Sequence, residues 1–162
     1  MKMLRILFLL MLAASCTRRS SDMERLQARI DSLQKELENT YKPGFGEIMT
    51  GVQAHHAKLW FAGLNNNWAL ANFEVQEIQE GLEDIRTYCR DRPETKSVTM
   101  IYGVLDSMAA SIEHKNPEQF KNSYYLLTEK CNNCHKNTAH VFNVVTVPSL
   151  PPVTNQDFKP AE

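Results

Sequence analysis

The chain has no excess of charge of either sign. Lys and Arg total 18 and Asp and Glu 19 in 162 residues, a formal net charge of −1, and the basic residues gather into no stripe or patch. A phosphate backbone is held by such a patch, because neutralising it releases counterions, so nucleic acid is not an expected partner. Also missing is the period-two alternation of apolar and polar residues that marks strands. No nucleophile stands beside a base and no pair of carboxylates is set for acid–base work, so the chain is not expected to be an enzyme. The apolar run at residues 6–14 is too short to cross a bilayer as a stable helix. Cysteine is sparse, with four in the chain, and Cys89 has no evident mate; it is either buried and inert or paired between chains.

What is present begins with a leader. Lys2 and Arg5 precede the apolar run, and Ala13, Ala14 and Ser15 lead into Cys16, which is the layout of a secretion signal. Leu12 to Cys16 resembles a bacterial lipobox, in which the cysteine is lipidated and becomes the first mature residue. The resemblance implies a signal peptide over residues 1–15, export to the periplasm or membrane surface of a bacterium, and a lipid anchor at Cys16. The alternative is plain secretion with Cys16 discarded.

Residues 16–42 read as a linker. Met23, Leu26, Ile30, Leu33 and Leu37 recur at alternating steps of three and four, a short heptad seam. It is either a stalk or weak oligomeriser, or a solvated amphipathic spacer. Pro43 and Gly44 break the pattern. Four helical stretches follow. The first spans Phe45–Leu64, with Met49, Val52, His56, Leu59 and Gly63 on one face and Asn65 to Asn67 as the turn. The second spans Trp68–Tyr88, with Ala71, Val75, Ile78, Leu82 and Ile85 as its stripe. The third runs over residues 93–114, with Val98, Ile101, Leu105, Met108 and Ile112 inward. The fourth opens on Asn116 as cap, Pro117 at the first helical position and Gln119 to complete a capping box; its stripe is Phe120, Tyr124, Leu127, Cys131 and Cys134. Short intervals make sequential helices antiparallel neighbours. The expected fold is therefore all-α: an antiparallel up-down four-helix bundle over residues 43–140, an N-terminal helical stalk, and a proline-rich extended tail over residues 141–162 that lies along the bundle or is disordered.

Cys131-Asn132-Asn133-Cys134-His135 is the attachment motif of c-type haem. Its two thiols add across the porphyrin vinyl groups, and the adjacent imidazole reaches the iron from the same side. On a helix Cys131 and His135 are one turn apart with Cys134 beside them, so all three address one haem face. A disulfide between the two cysteines is one rival reading. Zinc held by Cys131, Cys134, His135 and His140 is another, although structural zinc sites usually draw their ligand pairs from separate elements.

A haem motif closing the last helix of such a bundle resembles the class II c-type cytochromes, cytochrome c prime and its low-spin relatives, over residues 44–140. The resemblance implies one covalent haem c on Cys131 and Cys134, His135 as proximal ligand, and a first helix that supplies the far side of the iron. That role falls on the helix with Met49, Val52 and His56. Met49 is the expected distal ligand and His56 the alternative, with His55 a further candidate and a vacant site also open. A thioether would raise the potential, a second imidazole would lower it relative to methionine, and an apolar residue would leave room for a gas. Trp60, Phe61 and Trp68 are read as core aromatics near the haem end or the first turn. Glu74, Glu77, Glu80, Glu83 and Asp84 are read as a solvated face, or as a surface for a basic redox partner. The functional expectation is a lipid-anchored mono-haem electron carrier with a redox partner protein. The resemblance also implies a homodimer, which the stalk permits. A gas-binding or gas-sensing haem protein and a non-haem zinc or structural lipoprotein are the alternatives.

Overall fold

A computed structural model of the chain describes residues 21–161. The signal segment, residues 1–15, and the lipidation site Cys16 lie outside the described residues. The described elements are all helical, with no strand among them, and none of these helices is long and apolar enough to cross a membrane.

Two compact units divide the chain, Met1–Lys42 and Pro43–Glu162. In the first, residues 21–38 form a helix, α1, and every described residue of the unit is exposed. In the second, α2 (Phe45–Leu64) and α3 (Trp68–Tyr88) are followed by a nine-residue 3₁₀ segment, Pro93–Ile101, then α4 (Tyr102–Glu113) and α5 (Pro117–Asn137). α2 packs on α3, α3 on α4, α4 on α5 and α5 on α2; the 3₁₀ segment contacts α5, α4 and α3. Leu59, Ala71, Ile85, Leu105, Met108, Phe120 and Tyr124 are fully buried at the heart of the packing.

The two tight turns share one construction. After α2, Asn66 takes the left-handed conformation (φ 56°), its amide donates to Gly63 and that of Asn67 to Ala62. After α4, Lys115 does the same (φ 50°), with amides of Lys115 and Asn116 donating to Ile112 and Ser111. These bonds satisfy carbonyls left over at a helix end. The residue that closes each turn then caps the next helix. Asn67 accepts from Leu70, and Asn116 accepts from Glu118 and Gln119.

The region over residues 93–114 departs from a single α-helix, because its first nine residues wind as 3₁₀. Thr95, Val98 and Thr99 are β-branched and disfavour α-helix. The hydroxyls of Thr95 and Thr99 also donate to the carbonyls of Cys89 and Lys96, competing with the backbone ladder. With three residues per turn, Val98 and Ile101 fall in one column, and both are buried.

Beyond α5 the chain is irregular but packed. Phe158 is buried against Phe61, ring centroids 5.6 Å apart, and Asn67 donates to the carbonyl of Lys159 at 2.9 Å. The tail thus lies along α2 and the first turn.

Gly63 of α2 meets the Phe120 ring of α5 so closely that a Cβ would overlap it. Phe120 is fully buried and has nowhere to retreat. Gly63→Ala should therefore cost about 1–3 kcal/mol of stability, the usual range for overpacking a core, read as a lower denaturant midpoint at unchanged slope; an unaltered midpoint would show that the α2–α5 contact is not tight.

Candidate functional site

The last two turns of α5 carry Cys131, Cys134 and His135 into one cavity of about 240 Å³. The α2 wall of that cavity is Met49, Val52, Gln53 and His56, the α3 wall Ile78 and Leu82, and the 3₁₀ wall Val98 and Ile101. Arg92 stands on the rim, and Thr138, His140, Asn143 and Val145 close the side beyond α5. Gly81 of α3 allows this tight assembly, since a Cβ there would press on Val52 at 2.7 Å. The motif, the expected distal methionine and its histidine alternative thus share one mostly apolar chamber.

His135 is buried, and its Nδ1–H donates to the backbone carbonyl of Asn143 at 2.6 Å. That bond selects the tautomer with a free lone pair on Nε2, which is how a metal-binding imidazole is oriented and made more basic. His140 is committed differently: its Nδ1 donates to the carbonyl of Thr138 at 2.7 Å and its ring lies beside Phe142. Burial pushes the Cys131 thiol up to about 12, helped by the nearby Cys134, and raises Cys134 as well. Both are free, protonated thiols at neutral pH, a poor state for disulfide exchange. Among the described residues, no three His, Cys, Asp or Glu side chains converge as a cage for a metal ion.

His56 is fully engaged by protein. Thr128 gives its hydroxyl proton to the carbonyl of Tyr124 at 2.9 Å, so its oxygen accepts from His56 Nε2–H at 2.9 Å. The Tyr124 hydroxyl donates to the His56 carbonyl at 2.8 Å and shares its proton with the remaining nitrogen, Nδ1, 3.0 Å away. Burial pushes the His56 imidazole down to about 4 and the Tyr124 phenol well above its usual value. Met49 has no such commitments and is partly buried against the core. His55 is outside the chamber lining. Its Nδ1 donates to Glu74 at 2.6 Å, and its Nε2 lies 3.6 Å from Glu77.

That pair corrects the reading of the acidic run. Glu74 is fully buried, with one carboxylate oxygen on His55 and Oε1 without a partner, so it belongs to the α2–α3 interior and not to a solvated face. The three aromatics are core residues outside the chamber lining: Trp60 lies tilted against Tyr124 at 4.7 Å, Phe61 meets Phe158, and Trp68 meets Phe120 at 6.0 Å. Asn143 and Arg92 were not foreseen as site residues. Asn143 contributes a backbone atom, which leaves no mark on residue identity. Arg92 is held by Glu94 through contacts of 3.0 and 3.2 Å, and stands out in the sequence only as the residue before Pro93.

Set against family models, curated proteins and solved structures, the chain matches none.

The buried His56 makes stability depend on pH. In the native chain the imidazole resists a proton down to about pH 4, whereas in the unfolded chain it takes one near 6.5. Its stabilising contribution is therefore complete above about pH 6.5 and is lost as pH falls through that window toward 4, up to roughly 3 kcal/mol. In protein made without haem, His56→Gln should flatten the slope of unfolding free energy between these values; an unchanged slope would assign the dependence to other groups.

Proposed function

We propose that the chain is an exported, lipid-anchored mono-haem c-type cytochrome that carries electrons, built as an antiparallel up-down four-helix bundle of the class II kind. The observation that carries this reading is the chamber in which Cys131, Cys134, His135 and Met49 stand together, with His135 already tied through Nδ1 to Asn143. The packing of α2 on α3 and of α4 on α5 across three-residue turns, and of α3 on α4 across the 3₁₀ segment, supports the bundle.

Haem c bound in the chamber supplies a one-electron ferric/ferrous couple. The residues present suit it. The thiols of Cys131 and Cys134 would each form a thioether by adding S–H across a vinyl group, with no atom lost. His135 would hold the iron through Nε2. Met49 is the distal ligand we favour, because its thioether is uncommitted whereas His56 already spends both nitrogens on Thr128 and Tyr124. A methionine there raises the potential. Ile78, Leu82, Val98 and Ile101 exclude water, and Arg92 at the rim offers a cation to a carboxylate group. In this reading Cys16 is the anchor, a redox protein the partner, and a second copy of the chain completes a homodimer.

The test is the protein matured by a host that attaches c-type haem. We expect haem that stays with the polypeptide under denaturation, sharp low-spin ferrous bands, and no spectral change with carbon monoxide. Replacing both Cys131 and Cys134 by serine should abolish the covalent link. Met49→Ala should open the iron, giving a broad high-spin spectrum that shifts with carbon monoxide. Carbon monoxide binding by the unaltered protein would overturn the six-coordinate carrier in favour of a gas-binding protein, and absence of covalent haem would overturn the cytochrome altogether.

A further inference from the structure

We propose that Asn132, a variable residue of the motif, is a positioning residue for the iron-holding imidazole and acts through residues 138–147; this rests on the cytochrome reading. The side-chain amide of Asn132 pairs with both backbone groups of a residue 13 positions away. Its Nδ2 donates to the carbonyl of Val145 at 2.8 Å, and its Oδ1 accepts from the amide of Val145 at 2.8 Å. Two residues upstream, the carbonyl of Asn143 accepts from His135. Asn143 is exposed, so side-chain packing does not hold that carbonyl. Its place is set by the bonds on either side: the amide of Asn143 donates to His140, whose amide donates to His135, and beyond it Val145 is clamped by Asn132. The other variable residue does not share the task, since Asn133 reaches only Glu129 at 3.4 Å.

A short bond from Nδ1–H to a carbonyl makes the imidazole a more basic ligand, which favours ferric over ferrous iron. Asn132 would therefore lower the potential through the returning chain and not as a ligand. The experiment compares Asn132→Ala with Asn133→Ala. Asn132→Ala should keep covalent haem and raise the ferrous-to-ferric ratio at a fixed ambient potential by about threefold or more, the worth of one hydrogen bond. Asn133→Ala should leave the ratio unchanged. In haem-free protein, the amide of Val145 should exchange with solvent faster in Asn132→Ala than in the parent. Faster exchange with an unchanged ratio would overturn the positioning role, as would unchanged exchange. Absence of covalent haem in the parent would instead overturn the cytochrome reading, leaving the exchange result to report on the clamp alone.

A different observation carries a second inference, independent of haem. Met23, Leu26, Ile30, Leu33 and Leu37 are 50–64% exposed along one stripe of α1. We infer that this stripe is covered by α1 of a second copy of this chain, running antiparallel. In heptad terms Met23, Ile30 and Leu37 are a positions and Leu26 and Leu33 are d positions. Setting Ile30 against the partner's Leu33 also sets Leu26 against the partner's Leu37. In that register Arg29 flanks the partner's Glu36, twice by symmetry. A parallel pair would instead set Arg29 beside the partner's Gln34 and form no opposite-charge pair. Flanking charges decide orientation in such helices.

Sedimentation of the full chain in mild detergent should show a dimer. Arg29→Glu and Glu36→Arg should each weaken it by roughly tenfold, since two attractions become two repulsions, and the doubly swapped chain should recover the parent affinity. Singles without effect, a double variant no better than the singles, or ready disulfide formation by Leu33→Cys across a parallel pair would each overturn the antiparallel pairing.

Discussion

The hydrogen bond from His135 to the carbonyl of Asn143 joins the two halves of the site. On one side it fixes a ring on the last turn of a 21-residue helix; on the other it requires the chain beyond that helix to double back. Ala139 accepts a left-handed conformation (φ 61°) to start the reversal, a cost of about 1–2 kcal/mol for a residue with a Cβ. His140, Asn143 and Val145 then close the chamber as by-products of the same reversal. Without that bond the imidazole could choose either tautomer, and the returning segment would lose its anchor in the middle.

The rest of the unit supplies walls of graded polarity. α3 and the 3₁₀ segment give only aliphatic side chains, whereas α2 gives a thioether and a neutral imidazole. Buried polar groups are affordable there because they satisfy one another: His56, Tyr124 and Thr128 form a closed set of donors and acceptors between α2 and α5. The His55–Glu74 pair does the equivalent between α2 and α3, less completely, since one oxygen of Glu74 has no partner. Adjacent histidines on one helix thus bind two different neighbours, a division that fixes how α2 is rotated about its axis.

Much of this was open to reading in the chain itself. The stripe from Met49 to Gly63, the three asparagines that end it and the Asn116-Pro117 start of α5 are local signals, and local chemistry decided those boundaries. The convergence of Cys131, Cys134 and His135 follows from helical spacing alone. The remainder depends on contacts distant in sequence. Nothing near Glu74 distinguishes it from Glu77 or Glu80 until α2 brings His55 to it. Asn132 and Asn133 are identical residues in a two-residue gap, and only the returning tail tells them apart. Proline content marks residues 141–162 as non-helical but says nothing of Phe158 finding Phe61. The 3₁₀ winding of Pro93–Ile101 was hidden because apolar spacing there fits either helix, and only the threonine hydroxyls argue for the tighter one.

That tight winding sets the length of one wall of the chamber. A 3₁₀ helix rises about 2.0 Å per residue and an α-helix about 1.5 Å, so rewinding the nine residues would draw the segment in by roughly 4–5 Å. Rewinding would also leave one further amide without a helical acceptor, since four N–H groups open an α-helix unpaired and only three a 3₁₀ helix. The same step rotates Val98 and Ile101 out of their common column. The span of this wall and the apolar surface it presents are thus set together by one choice of winding.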